Sequence, residues 1–158
     1  MFGVTGGVLE AALRTAYQLV TKAELPDDAI VFKSVRGLDG VKEAEVDIAG
    51  TKLKVAAASG LGNVRKLLEK IRNKESVYHA IEVMACPGGC INGGGQPYIG
   101  GDEEILEKRM MGLYSEDESK VLRKSHMNPD IQQLYKEFLK EPGSHLAHEL
   151  LHTDYKAK

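Results

Sequence analysis

Cysteine is scarce in this sequence of 158 residues, which contains only Cys86 and Cys90 and has no tryptophan. Because the start shows no secretory pattern, two cysteines predict free thiols or metal ligands in a reducing compartment, and we expect a cytoplasmic protein. No apolar run approaches the roughly 18 residues of a membrane span, so no membrane is expected. The net charge of -2 removes any general attraction to nucleic acid.

Glycine is abundant, with 17 residues, and residues 84–97 combine five of them with two prolines and both cysteines. Thiolates are soft ligands that favour iron–sulfur clusters, zinc or copper(I). Glycine lets the backbone approach a bulky inorganic group closely and adopt positive φ angles. Two thiolates are fewer than a cubane cluster normally takes. The segment therefore predicts an incomplete cluster site.

Other interpretations of Cys86 and Cys90 stay open at this point. Buried free cysteine is common, and two nearby thiols can also form a reversible redox pair. The Cys-x3-Cys spacing differs from the two-residue gap of thioredoxin-like proteins and of ordinary zinc sites. Met84 is by itself an ordinary core filler, but it precedes Cys86 by two residues, which favours a role at the same site.

The first part of the chain predicts an α/β fold. A helix is expected over 6–22 with Thr5 as its N-cap, because apolar residues recur at three- and four-residue spacing at Leu9, Leu13, Ala16 and Val20. We expect a loop over 25–28, a short strand over 29–35 and a turn over 37–40. The loop at 2–7 either simply caps the helix or uses its N-terminus to favour an anion or a negatively charged cluster.

An antiparallel hairpin follows, with strands over 43–48 and 52–57. Apolar and charged residues alternate in both strands, which predicts one wet face where acidic residues sit opposite Lys52 and Lys54. A second helix is expected over 62–73. The next strand, over 78–86, places Met84 and Cys86 on the same side at its carboxyl end, where open α/β sheets bind ligands.

Composition changes after Pro97. Residues 102–124 and 130–140 favour helices, Pro142 and Gly143 stop the second one, and 144–152 favours a further turn or two. We therefore expect an α/β lobe over 1–101 and a helical C-terminal belt over 102–158. Three histidines of the belt share a helical face, which suits zinc, although such side chains more often bond the backbone or lie at an interface: His145, His148 and His152.

Residues 78–97 closely resemble the third signature of the FeFe-hydrogenases. The resemblance extends over nearly the whole chain: residues 2–14 resemble the phenylalanine–glycine loop and helix of the catalytic domain, and the belt resembles the C-terminal region that is a small subunit in some members. The resemblance implies half of a doubly wound domain, with a parallel sheet flanked by helices. Because a glycine loop follows Met1 directly, we expect the sequence to begin inside a larger fold.

The resemblance also implies the roles of individual residues. In that family the H-cluster is a 4Fe-4S cubane joined by a cysteine sulfur to a diiron unit with carbonyl and cyanide ligands. Cys86 would then be a cubane ligand, and Cys90 the thiolate that bridges the cubane and the diiron unit. Met84 and Phe2 would line the pocket of the diiron unit. Gly93 and Gly94 would let the backbone pass close to the cluster.

The family's first two signatures are missing from this sequence. They carry the other two cubane cysteines and a proton-relay cysteine, so the resemblance implies an isolated chain that is inactive and binds no complete cofactor. The partners implied are the N-terminal half of the domain, or a subunit carrying the missing ligands, and a redox carrier such as ferredoxin. Two alternatives remain: a hydrogenase-like cluster-assembly protein, and a non-catalytic folding or interaction module. Gln96–Pro97 and the histidines favour the hydrogenases.

Overall fold

A computed structural model describes residues 1–24, 36–37, 39–154 and 156. The chain divides into two compact units, Met1–Lys120 and Val121–Lys158. The loop predicted over 25–28, the strand predicted over 29–35 and Leu38 of the predicted turn lie outside the described residues. Within the described part of the chain, no helix is long and apolar enough to cross a membrane.

A three-stranded mixed sheet forms the centre of the first unit. Strands β1 (Val41–Ile48) and β2 (Thr51–Ser59) form the predicted antiparallel hairpin, and β3 (Ala80–Met84) lies parallel to β2 on its other side. Helix α2 (Leu61–Arg72) connects the two parallel strands, as expected for a β-α-β unit. The mixed α/β architecture predicted from the sequence is confirmed.

The charged face of the hairpin is exposed along β1, at Glu43, Glu45 and Asp47, but on β2 only near the turn. Lys52 lies opposite Asp47 in the register, and Lys54 lies opposite Glu45, as predicted. Towards the other end, α2 covers the same face with Val64 and Leu67, which pack on the fully buried alanines Ala56 and Ala58. The predicted wet face is therefore shorter than expected, because small side chains on β2 let a helix pack closely there.

Helix α1 (Gly7–Thr21) covers the other face of the sheet. Its apolar stripe packs against both hairpin strands, through Leu9, Leu13, Val46, Ile48, Val55 and Ala57. The predicted N-cap is wrong. Gly6 occupies that position with a φ of 99°, and the hydroxyl of Thr5 is buried without a hydrogen-bond partner among the described residues.

Helix α3 (Glu103–Ser119) completes the first unit. Asp102 caps it by accepting a hydrogen bond from the Glu104 amide at 3.0 Å. Its buried side chains pack with residues from the beginning and middle of the chain in a second cluster, formed by Val4, Ile91, Leu106 and Tyr114. The division of the chain into a lobe over 1–101 and a belt over 102–158 stays a prediction.

The second unit is helical, as predicted. Helix α4 (Pro129–Leu134) continues into a π-helical turn (Tyr135–Leu139), and α5 (His145–Leu151) follows the Pro142–Gly143 stop. The rings of His148 and His152 lie 4.4 Å apart. In the described residues no group of three or more histidine, cysteine, aspartate or glutamate side chains is arranged to hold a metal ion, so nothing supports a zinc site here.

Candidate functional site

Strand β3 ends earlier than its sequence predicts. Its last residue is Met84, which pairs with Ser59 at the end of β2. The Met84 carbonyl then accepts a hydrogen bond from the Gly60 amide at 2.9 Å, just before α2 begins. The predicted strand over 78–86 is therefore too long, and Cys86 lies in the turn that follows it. Strand alternation does not place Cys86 on the same face as Met84.

The segment from Cys86 to Cys90, the cysteine turn, is shaped by its two glycines. Gly88 and Gly89 have φ angles of 80° and 102°, which side-chain-bearing residues rarely adopt. The Gly89 amide donates to the Cys86 carbonyl at 3.0 Å and closes the turn. Both cysteines are free thiols, with Cys86 partly buried and Cys90 exposed. The turn thus presents two thiols that are available as ligands.

Met84 comes to the cysteine turn by packing against its backbone. A Cβ atom added to Gly89 would lie 2.9 Å from the Met84 sulfur, 2.7 Å from the Gly3 carbonyl oxygen and 2.8 Å from the Thr5 amide nitrogen. Real Cβ atoms do not tolerate such distances. Gly89 is therefore the point where Met84, the cysteine turn and the beginning of the chain meet.

Residues 2–6, the N-terminal loop, run alongside the cysteine turn. Val4 pairs with Gly89 in an isolated antiparallel bridge. The Thr5 amide donates to the Gly88 carbonyl at 3.2 Å, and the Ile91 amide donates to the Gly3 carbonyl at 3.1 Å. The loop is therefore hydrogen-bonded to residues on both sides of Cys90. Phe2, at its beginning, is 53% exposed.

Glu82 and Lys42 fix the other end of the N-terminal loop. The two carboxylate oxygens of Glu82 accept from the Gly6 and Leu9 amides, each at 2.6 Å, and so cap helix α1. The buried ammonium of Lys42 donates to the Thr5 carbonyl at 2.6 Å. Burial lowers the pKa of Lys42, while the negative charge of Glu82 acts in the opposite direction.

Neither residue is predicted from the sequence to take part in the site. The sequence indicates them only weakly. Glu82 is a glutamate two residues before Met84 in a strand, and Lys42 is a lysine in an alternating hairpin strand. Neither pattern indicates which backbone groups the side chain reaches, because the partners of Glu82 lie more than 70 residues away along the chain.

Residues 93–95, the glycine segment, follow the cysteine turn and are held at both ends by Arg109 of α3. The guanidinium donates to the Ile91 carbonyl at 2.7 Å and to the Pro97 carbonyl at 2.8 Å. A Cβ atom added to Gly93 would lie 3.8 Å from the Cys86 sulfur. A Cβ added to Gly94 would meet nothing within 4 Å in the described structure. The segment thus begins beside the Cys86 thiol and is open at Gly94.

A buried network of charges ties α1 to α3. Arg14 contacts Glu10 at 2.8 Å and Asp117 at 3.1 Å, and Arg36 contacts Glu10 at 2.8 Å. The Arg36 guanidinium also lies 4.3 Å from the centre of the Tyr114 ring. Burial alone would lower the pKa of Arg36, but hydrogen bonding and charge attraction from Glu10 raise it overall. The network joins α1 to α3, the helices that flank the N-terminal loop.

The donor set fits part of an iron–sulfur site. Two free thiols lie in a glycine-rich turn, and the neighbouring glycine segment leaves room for a bulky inorganic group. In the part of the chain that the structure describes, no third cysteine, histidine or carboxylate joins them. A cubane cluster needs further ligands. These residues therefore supply some of its ligands but not a full set.

Comparison with known protein families matches most of the chain to two models. Residues 1–94 match "Iron only hydrogenase large subunit, C-terminal domain", and residues 103–158 match "Iron hydrogenase small subunit". Together, the two matches cover both the lobe that carries the cysteine turn and the helical region that follows it.

Curated relatives include hydrogenases and cluster-assembly proteins. The NADP-reducing hydrogenase subunit HndD of Solidesulfovibrio fructosivorans is 57% identical over 155 residues, which is 98% of this chain and 26% of that protein. Iron hydrogenase 1 of Clostridium pasteurianum is 46% identical over 99% of this chain and 28% of its own length. Protein NAR1 of Arabidopsis thaliana is 33% identical over 97% of this chain and 32% of its own length.

Solved structures show the same fold. The apo FeFe-hydrogenase HydA1 of Chlamydomonas reinhardtii has a TM-score of 0.76 and 43% identity, covering 98% of this chain and 45% of that one. A structure described as showing stepwise H-cluster assembly in HydA(deltaEFG) has a TM-score of 0.74 and 43% identity, covering 98% of this chain and 46% of that one. The chain thus spans less than half of each relative named here.

Proposed function

Because this chain belongs to the FeFe-hydrogenase family and corresponds to the C-terminal lobe of its catalytic domain, we propose that it is one part of a hydrogenase. The reaction would be the reversible reduction of protons to dihydrogen. The observation that carries the proposal is the hydrogen bonding of the N-terminal loop to both sides of Cys90. It brings the two thiols, Met84 and the beginning of the chain into a single site.

The proposed ligands of the H-cluster are Cys86 for the cubane and Cys90 for the bridge to the diiron unit. When bound, this group supplies the iron at which protons and electrons combine. Met84 and Phe2 would contribute apolar surface that excludes water from the diiron unit. Gly93 and Gly94 would allow the backbone to approach the cluster, since a Cβ atom added to Gly93 would lie 3.8 Å from the Cys86 sulfur. The chain's own contribution is ligation, orientation and exclusion of solvent.

Activity would require a second polypeptide segment. The proposed partner is the N-terminal half of the hydrogenase domain, or a subunit that carries the other two cysteine ligands. The sequence contains no further cysteine, so the isolated chain is expected to be inactive. A redox carrier such as ferredoxin would exchange electrons with the complete assembly. We place that assembly in the cytoplasm.

A role in iron–sulfur cluster assembly is the second candidate. Cluster-assembly proteins also match nearly the whole chain, among them the cytosolic iron-sulfur assembly component 3 of Bos taurus, with 35% identity. Two hydrogenases match it at 57% and 46%. The higher identity favours the hydrogenase, and the assembly role makes a distinct prediction: iron binding without hydrogen production.

Reconstitution with the missing half tests the proposal. The chain is mixed anaerobically with the N-terminal half of a related hydrogenase, loaded with cofactor, and assayed for iron content, electron paramagnetic resonance and hydrogen evolution. Cys90→Ala should abolish hydrogen evolution and change the spectrum, whereas Met111→Ala, at an exposed position of α3, should behave like the wild type. Unchanged iron content and activity in Cys86→Ala and Cys90→Ala would reject the assigned ligands. Bound iron without hydrogen evolution would favour cluster assembly.

A further inference from the structure

Glu82 links the end of strand β3 to the N-terminal loop. Its carboxylate binds two amides at once, those of Gly6 and Leu9, each at 2.6 Å. Short hydrogen bonds to a charged acceptor are stronger than neutral ones. The same strand ends at Met84 and leads directly into the cysteine turn. A single side chain therefore joins the strand that leads to the thiols to the loop that runs beside them.

Lys42 holds the same loop from strand β1. Its ammonium donates to the Thr5 carbonyl at 2.6 Å and to the Gly37 carbonyl at 3.0 Å, and its side chain is almost fully buried. The residue after Thr5 is Gly6, which donates to Glu82. The carbonyl and the amide of a single peptide unit, the one between Thr5 and Gly6, are thus bound by charges of opposite sign on two different strands. This arrangement leaves the junction of the loop and α1 little freedom to shift.

The N-terminal loop in turn holds the backbone on both sides of Cys90. Gly89 and Ile91, the residues on either side of Cys90, are the ones that pair with Val4 and Gly3. The Cys90 side chain itself is exposed. The direction of its Cα–Cβ bond is therefore set by the backbone of its two neighbours, which the N-terminal loop holds.

We propose that Glu82 is a positioning residue for the Cys90 thiolate: by bridging the Gly6 and Leu9 amides, it fixes the N-terminal loop against the cysteine turn and so sets the ligand geometry. This inference rests on the proposed function in that Cys90 is taken as a ligand. A helix cap usually takes one acceptor from the side chain of the N-cap residue, and here that residue is Gly6, which has no side chain to supply one. Instead, the Glu82 carboxylate caps α1 from strand β3, which leads into the cysteine turn. The cap of the helix is therefore coupled to the candidate site.

Amide hydrogen exchange in the native 158-residue chain measures the positioning directly. In Glu82→Gln one acceptor oxygen becomes a donor, so it cannot accept from both amides. We expect the protection of the Ile91 amide to fall about tenfold, in line with the loss of a charged hydrogen bond. The protection of Ala57, at the centre of the sheet, should change much less. Equal losses at Ile91 and Ala57 would show a general structural role and overturn the proposal.

Cadmium binding, followed by the thiolate-to-metal charge-transfer band, measures the consequence for the ligands. We expect Glu82→Gln to weaken cadmium binding about tenfold, as the same loss of order would require. The matched control is Glu43→Gln, which makes the same chemical change at an exposed glutamate bound to Tyr78 and Lys70. Cadmium affinity in the control should equal that of the wild type. Wild-type affinity in Glu82→Gln would overturn the proposal.

Glu82→Asp separates charge from reach. Aspartate keeps the negative charge but is one methylene shorter, so it cannot reach both amides from the same backbone position. We expect Glu82→Asp to resemble Glu82→Gln in amide exchange and in cadmium affinity. If Glu82→Asp behaves like the wild type, the negative charge is sufficient without the bridge between the two amides, and the proposal is rejected.

A different result bears on the proposed function. If Cys86→Ala and Cys90→Ala bind cadmium as well as the wild type, the thiols are not the ligands, whatever the exchange at Ile91 shows.

Discussion

Glu10 and Arg14 form an ion pair one helical turn apart with both side chains inaccessible to solvent; the nitrogen and oxygen are 2.8 Å apart. Arg36 binds the same carboxylate. Burial makes such a network expensive to break, because removal of one partner leaves uncompensated charge in the interior. The network therefore contributes to the stability of the first unit as long as all its partners are present.

Glu10→Ala should lower the free energy of unfolding by about 3–5 kcal/mol, because Arg14 and Arg36 lose their shared carboxylate. Urea unfolding followed by circular dichroism measures the loss. The comparison variant is Glu45→Ala, which removes an exposed ion pair with Lys52 at 3.1 Å and should cost less than about 1 kcal/mol. Similar losses in the two variants would show that the buried network does not contribute in this way.

Gly89→Ala should prevent the first unit from folding normally. The new methyl group would lie 2.7 Å from the Gly3 carbonyl oxygen, and the backbone has a φ of 102°. Gly94→Ala adds the same methyl group where nothing lies within 4 Å in the described structure, so the apo fold should keep its stability to within about 0.5 kcal/mol. Thermal unfolding of both variants tests the difference. Comparable melting temperatures would contradict the close approach at Gly89.

Arg109→Lys should loosen the glycine segment. Lysine is a point charge without the planar fork of arginine, and it cannot bind the Ile91 and Pro97 carbonyls together as the guanidinium does at 2.7 Å and 2.8 Å. We expect faster hydrogen exchange across residues 93–96, measured on peptides by mass spectrometry. Lys108→Ala, which removes only an exposed pair with Glu104, should leave the exchange of these peptides unchanged.

Lys42 should make the free energy of unfolding depend on pH in the alkaline range. Burial lowers its pKa in the folded chain below the ordinary value of 10.5. Between these two values the unfolded chain binds more protons, so the free energy of unfolding rises with pH across that window. Wild type should therefore gain stability relative to Lys42→Met as the pH approaches 10.5. The matched control for the loss of a lysine is Lys66→Met, at an exposed position of α2. A stability difference between the wild type and Lys42→Met that does not change with pH would contradict the prediction.

The sequence predicted the elements well where periodicity is long and local. Helix α1 was expected over 6–22 and spans Gly7–Thr21. The hairpin was expected from strict alternation, and the observed register pairs Asp47 with Lys52 as predicted. In both cases, the backbone hydrogen bonds join residues close in sequence and the apolar residues recur at the period of the element, so the local pattern contains the information needed.

The errors came from partners that are distant in sequence. Thr5 has the residue type of a cap, but Glu82 occupies the amides instead. Strand β3 was expected to extend to Cys86, but its neighbour β2 ends at Ser59, opposite Met84, so the ladder has no partner for the following residues. The local sequence pattern shows neither the cap of α1 nor the end of β3, because tertiary contacts determine both.

The sequence predicts which residues form the candidate site, but not which other side chains hold them in place. The two cysteines and the glycines around them pointed to a cluster site from spacing and residue type alone. The roles of Arg109 and Glu82 depend on which carbonyls and amides they reach. Such contacts bring together segments from different elements, and single-sequence patterns do not encode them.

The hydrogen bond between Gly6 and Glu82 joins residues 76 positions apart in the chain. Closing so long a loop costs conformational entropy before any contact compensates for it. The hairpin and α1, which form from local contacts, should therefore be in place before the N-terminal loop docks. The cysteine turn then acquires its final shape late in folding, so any agent that captures the thiols during synthesis meets them before their geometry is set.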